Sequence, residues 1–108
     1  MKMIKAVIRP DKVLPVLTAL SEKGHNSVTR INVLGRGKQR GLKVGDVYYD
    51  EIPKEMLVLV VEDADTDEVI KTIEQEARTK ENGAYGDGKI FLSDVAAAYT
   101  VSSGEEGL

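Results

Sequence analysis

Apolar residues return along this chain in two rhythms, and the switches between them divide it into elements. Near the start, "KMIKAVIR" (2–9) is short, β-branched and apolar until Pro10 interrupts it, which predicts a strand. In "DKVLPVLTALSEKG" the rhythm becomes helical: Val13, Leu14, Leu17 and Leu20 return at helical spacing, Asp11 is placed to cap the start, and Gly24 supplies a left-handed stop. Pro15 suits this helix because it falls in or near the first turn, where few amide hydrogens have intrahelical acceptors. "SVTRINVLG" (27–35) alternates as a strand, whereas "EMLVLVVE" (55–62) is almost continuously apolar, the pattern of a central strand covered on both faces. "DTDEVIKTIEQEAR" (65–78) sets Val69, Ile73 and Ala77 on one helical stripe with Ile70 beside it. After a break in "TKENGAYGDG", "KIFLS" (89–93) reads as a fourth strand and "VAAAYTV" (95–101) as a short extra one.

The order strand, helix, strand, strand, helix, strand predicts an α+β, ferredoxin-like βαββαβ sandwich with an antiparallel sheet. Two helices would cover one face of that sheet. The other would be open, with too many valines and leucines to face water, so oligomerisation is expected.

Bulk properties narrow the function. At 108 residues the chain fits a single domain, 1–108, with one core. The absence of cysteine removes disulfides, thiolate metal sites and a Cys nucleophile, and the lone His25, next to Gly24, reads as an ordinary loop residue. A formal net charge of −3 argues against general nucleic-acid affinity. No apolar run approaches the ~20 residues of a membrane span, so no membrane insertion and a cytoplasmic location are expected.

Two glycine-rich segments carry the candidate chemistry. "GRGKQRG" frees the backbone around Arg36, Lys38, Gln39 and Arg40 with Gly35, Gly37 and Gly41; "GAYGDGK" does so with Gly83, Gly86 and Gly88 before Lys89. Glycines let successive amide hydrogens turn toward one anion, and nearby cations add charge. Hairpin turns with solvated charges are the plainer reading of either segment alone, and neither matches a Walker A loop or a dinucleotide fingerprint. Both lie next to strand ends, however, so phosphates could be gripped between them, within a chain or across a subunit boundary. Asp87 reads equally as a turn residue accepting backbone hydrogen bonds or as a shaper of that pocket. The segment from Arg36 to Pro53, with Tyr48 and Tyr49, is longer than a hairpin needs.

These strings resemble the PII nitrogen-regulatory signalling proteins along nearly the whole chain: "MKMIKAVIRP", "GRGKQRG", "IPK", "YGDGKIF" and "SGEEGL". The resemblance implies a non-enzymatic trimer with ATP or ADP in clefts between neighbours, residues 36–53 as a protruding effector loop, 79–88 as a phosphate-side loop and 102–108 as a flexible tail. It places Thr29 and Val60 near the adenine, and Gly35, Gly37, Lys38, Gln39, Gly86, Asp87, Gly88 and Lys89 around the phosphates. Gln39 would help hold the Mg²⁺ that joins ATP to 2-oxoglutarate, and Lys54 would pair with a carboxylate of that keto acid. Arg40, Leu42, Val47, Tyr48 and Tyr49 would face the partner protein. "DVYYDEIPKEML" with "AYTV" is similar to the branch associated with nitrogen-fixation operons, which acts with a PII-like paralogue on nitrogenase; homotrimer and hetero-oligomer both stay open.

The chain departs from the family pattern in three places. The arm is shorter than in the enteric members, with Val47 where they carry a modifiable tyrosine; "KEN" (Lys80–Asn82) is inserted before Gly83; and Thr100 and Ser102 stand where arginines usually reach the phosphates. Arg36, Arg78, Lys80 or a neighbouring chain would have to replace that charge. The competing targets are an ammonium transporter or another nitrogen-metabolism enzyme. An acylphosphatase-like hydrolase would need an asparagine paired with an arginine cradle, and Asn32 and Asn82 have no evident pairing with Arg36 or Arg40. An RNA-binding sheet would need an aromatic platform that this chain lacks.

Overall fold

Strand β1 (Lys2–Ile8) sends Ile4, Ala6 and Ile8 into the core and leaves Met3, Lys5 and Val7 on its other face, the period of two that a pleated strand imposes. The structure, a computed structural model, describes residues 1–36, 43–44, 47–48 and 51–108. Pro10 stops β1 and opens a 3₁₀ turn, Pro10–Lys12, that leads directly into helix α1 (Val13–Glu22). Asp11 lies inside that turn and does not cap the helix: Lys12 occupies the cap position, with no side-chain hydrogen bond there. The buried stripe of α1 is Val13, Val16 and Leu20 with Leu17 partly buried, whereas Leu14 is 69% exposed. Of the expected stripe, Val13, Leu17 and Leu20 face the core, while Leu14 does not and Val16 takes its place. Positions i, i+3, i+4 and i+7 from Val13 share a face, and Leu14 is rotated about 100° from it.

Strand β2 (Thr29–Arg36) pairs antiparallel with the long strand β5 (Glu51–Val61), and their ladder runs from Thr29 opposite Val58 to Arg36 opposite Glu51. Between them two short strands, β3 (Lys43–Val44) and β4 (Val47–Tyr48), pair with each other. Arg36 and Glu51, placed in the effector loop by sequence, belong to the main ladder, and an ion pair of 2.6 Å between their side chains closes the base of the arm.

Helix α2 (Thr66–Ala77) buries Val69, Ile73 and Ala77 as the periodicity predicts, together with Thr66 and Thr72, and Ile70 packs beside them. Thr72 is tolerated inside because its hydroxyl donates to the Glu68 carbonyl at 2.7 Å. Strand β6 (Gly88–Asp94) completes a four-stranded antiparallel sheet in the order β2-β5-β1-β6, with both helices on one face. This is the ferredoxin-like βαββαβ fold. Full burial of Leu20, Leu57 or Ile73 in the layer between sheet and helices contributes roughly 1.5–3 kcal/mol each.

Strand β5 is central, as its composition predicts, but within one chain only one of its faces is covered. Leu57, Leu59 and Val61 are buried under the helices; Met56, Val58 and Val60 are half-buried on the bare face, alongside Ile31 (41% exposed) and Phe91 (55% exposed). The extra strand expected at 95–101 is absent: a single bridge links Tyr99 to Glu106, with the Gly104 amide donating to the Thr100 carbonyl at 2.7 Å to close a turn. Three alanines provide too little side chain for a cross-strand ladder. Among the described residues no helix is long and apolar enough to cross a membrane.

Candidate functional site

One end of the sheet is organised around Gly88. Its φ is +130°, and a Cβ built there would lie 2.0 Å from the Val7 carbonyl oxygen, so only glycine lets β6 approach β1 at this point. The residue before it, Asp87, ties the preceding loop into a closed turn. Its carboxylate accepts from the Thr79 amide (2.9 Å), the Thr79 hydroxyl (2.5 Å), the Ala84 amide (2.8 Å) and Arg9 Nε (3.1 Å). Burial alone would raise this carboxyl's pKa, but the donors of Thr79, Ala84 and Arg9 outweigh it and hold the group well below the ordinary carboxylate range. Of the two readings of Asp87, the geometry favours the structural one: its oxygens are taken up by this chain's own donors. The inserted Lys80–Asn82 segment is absorbed as a turn in which Lys80 adopts φ +59°.

Arg9 also donates to the Tyr85 carbonyl at 2.7 Å, so the last residue before Pro10 fastens the loop twice. Lys54 reaches the same loop from the other side, its ammonium donating to the Gly86 carbonyl. Its stem crosses Gly35 so closely that a Cβ there would sit 3.0 Å from Lys54 Cγ. Lys54 therefore links Gly35 of the first glycine-rich segment to Gly86 of the second; the rest of the first segment, from Gly37, lies outside the described residues. Burial, with the Arg9 guanidinium repelling it, lowers the Lys54 pKa below the ordinary lysine value. Among the described residues no carboxylate pairs with Lys54; its acceptor is a neutral carbonyl. A nearly buried ammonium satisfied only by a dipole is a favourable place for an anion to arrive.

Two grooves flank this cluster. One, of about 280 Å³, is lined by Glu74, Ala77, Arg78, Asp87, Gly88 and Lys89; the other, of about 410 Å³, by Pro10, Val33, Leu34, Pro53 and Lys54. Arg78 and Lys89 thus share one groove, while Thr100 and Ser102 lie in or beside the terminal turn. Thr29 and Val60 are not brought to this end. Thr29 is opposite Val58, then Lys5, then Phe91, which sets it three strand spacings, about 14 Å, from β6. Val60 instead lines a third groove with Ser27 and Glu62. Gly37, Lys38, Gln39, Arg40, Leu42 and Tyr49 lie outside the described residues, and Val47 and Tyr48 are placed only as strand β4.

Sequence reasoning did not single out Arg9 or Thr79. A cation closing a buried strand immediately before proline was the available signal for Arg9; Thr79 offered none, because its partner lies eight residues on, across a turn.

Fold and site together define a ferredoxin-like domain with a glycine-rich, cation-bearing loop cluster at one end of its sheet. The chain belongs to the nitrogen regulatory protein P-II family, whose model matches residues 1–105. It is 53% identical over 108 residues, covering all of both chains, to "Nitrogen fixation nifHD2 region GlnB-like protein 1" of Methanosarcina barkeri. It is 49% identical, again over the full length of both, to "Nitrogen fixation nifHD region GlnB-like protein 1" of Methanothermococcus thermolithotrophicus. Identity falls to 40%, over 99% of this chain and 94% of the relative, for "Nitrogen regulatory protein P-II 2" of Methanothermobacter thermautotrophicus.

Proposed function

We propose that this P-II family regulator senses ATP or ADP, with Mg²⁺ and 2-oxoglutarate, and controls nitrogen fixation in the cytoplasm by binding a nitrogenase component through residues 36–53. The observation that carries this reading is the convergence of Gly35, Lys54 and Gly86 at one sheet end beside Arg9, Gly88 and Lys89. That arrangement suits polyphosphate oxygens and, at Lys54, a carboxylate. In the proposal Gly35, Gly37, Lys38, Gln39 and Gly86 to Lys89 surround the phosphates, Gln39 holds Mg²⁺, and Arg78, which shares a groove with Lys89, supplies charge that Thr100 and Ser102 do not.

Thr29 and Val60 would meet the adenine from a different chain. Their separation from β6 across the bare sheet face favours an assembly, a homotrimer or a hetero-oligomer with a P-II-like paralogue, in which each cleft is lined by two subunits. The half-buried Met56, Val58 and Val60 would be covered by the same assembly. The arm, with Arg40, Leu42, Val47, Tyr48 and Tyr49 presented to the partner, would change posture with ligand occupancy because its base is continuous with the strands that carry Gly35 and Lys54. The nif-region names of the relatives support the choice of nitrogenase as the target.

Calorimetry with MgATP, with and without 2-oxoglutarate, on the chain alone and mixed with its paralogue, tests the sensing. Saturable binding that 2-oxoglutarate tightens is expected; no heat in any of these mixtures defeats it. Capture of nitrogenase from nitrogen-fixing cells after ammonium addition, reversed by MgATP with 2-oxoglutarate, tests the target.

A further inference from the structure

Far from the anion-binding end, the connection after α1 faces the start of α2. Gly24, at φ +87°, turns the chain out of α1, and the His25 amide donates to the Leu20 carbonyl at 2.9 Å, which fixes the backbone at His25. Asp65 precedes α2, its amide donating to the Glu62 carbonyl at 3.0 Å, and Glu68 lies in the first helical turn. His25, Asp65 and Glu68 each bring one donor atom within 4.8 Å of the others. Yet among the described residues nothing partners His25 Nε2, a buried atom on a part-buried side chain. Buried polar nitrogens are nearly always satisfied, so this one requires an explanation.

The positive end of α2 accounts for carboxylates at Asp65 and Glu68 but not for the unpartnered imidazole between the two elements. We propose that His25, Asp65 and Glu68 form a site for a divalent transition cation of the Zn²⁺ class. One imidazole nitrogen and two carboxylates are a donor set that such ions accept, whereas Mg²⁺ favours oxygen and retained water. Ligand atoms around a four-coordinate ion are separated by about 3.3–3.5 Å for bonds of about 2.0–2.2 Å. Glu68 is exposed, so its side chain has rotamers available to adjust to an ion.

The neighbouring sequence adds negative charge, and two cations beside it are already engaged. Glu62 and Asp67 flank the site; the chain's amino group is engaged by Asp63 at 3.0 Å, and Lys23 donates to Thr72 Oγ1 at 2.9 Å. Three protein ligands leave a coordination position for water or for a group in the adjoining groove, about 280 Å³, which His25 and Asp65 line with Val60 and Leu108. Occupancy ties the α1–β2 connection to α2. The adjoining groove is the one whose Val60 the proposed function assigns to the adenine, but the ligand set itself includes no proposed nucleotide contact and is tested without nucleotide.

The test uses the full chain, stripped with chelator and titrated with zinc chloride by calorimetry and thermal melting, beside His25→Gln and Asp65→Asn. His25 is the only histidine, so its side-chain NMR signal reports ligation directly. One zinc per chain, a rise in melting temperature, a shifted imidazole signal and affinity about tenfold or more weaker in both variants are expected. Equal melting of wild type and variants in chelator shows that folding is intact, and the imidazole signal of the wild type decides the matter if it is not. Undiminished zinc affinity in His25→Gln, an imidazole signal unmoved at saturation, or no binding at millimolar zinc overturns the proposal.

Discussion

Replacing Asp87 with alanine removes, in one step, the acceptor for the Thr79 amide and hydroxyl, the Ala84 amide and Arg9 Nε. Hydrogen bonds to a charged group contribute ~1.5–3 kcal/mol each when broken one at a time. They are not additive here, because the freed loop can rotate its amides toward water, so the expected loss is about 2–4 kcal/mol. That is a large share of the ~5–15 kcal/mol that stabilises a domain, and it lowers Tm by about 8–30 °C at a scale of ~4–8 °C per kcal/mol. Circular-dichroism melts at fixed protein concentration measure it. The pH dependence supplies an independent check. The Asp87 carboxyl is depressed in the folded state, so its contribution is complete above the unfolded carboxylate pKa of ~3.9 and is lost as pH falls through the lower folded value. The stability gap between wild type and Asp87→Ala should therefore stay level from pH 8 to about 5 and shrink in acid. A gap below ~0.5 kcal/mol at pH 7, or one that widens in acid, refutes the view that this carboxylate holds the loop together.

Gly88→Ala should be the more damaging change, costing above ~3 kcal/mol, because both its φ of +130° and the Val7 carbonyl oxygen forbid a side chain; soluble yield and urea unfolding report it. Lys54→Met should leave stability unchanged or raise it by up to ~1 kcal/mol, since the charged ammonium is disfavoured by burial and by Arg9 at every pH below its lowered pKa; anion affinity measured by calorimetry should fall at least about tenfold. Leu20→Ala should cost ~2–5 kcal/mol and Leu14→Ala less than ~0.5 kcal/mol, a contrast that chemical denaturation resolves and that would vanish if the helix packed on the other phase.

Most of the fold was legible because its signals are local. The β-branched run before Pro10 and the stripe Val69, Ile73 and Ala77 each state their element within a single window. The misreadings occurred where a local rule had rivals. Asp11 is a good capping residue, but Pro10 started a 3₁₀ turn one step earlier and moved the cap position to Lys12. Leu14 is as apolar as Val16, so composition alone could not choose between them. In the candidate site, glycine density marked both segments, while Arg9 and Thr79 went unremarked because their importance depends on what lies across the turn.

The linear chain settled which segments become strands or helices, because hydrophobic period and turn residues act over a few positions. It also determined the absence of thiol chemistry and the placing of glycines at two strand ends. Folding in three dimensions decided that Lys54 passes over Gly35 to reach Gly86, that Arg9 and Thr79 share Asp87, and that His25 faces Asp65 and Glu68. Those juxtapositions join residues far apart in the chain. Hydrogen bonds and burial are properties of position in space, and only sheet register and helix packing assign that position.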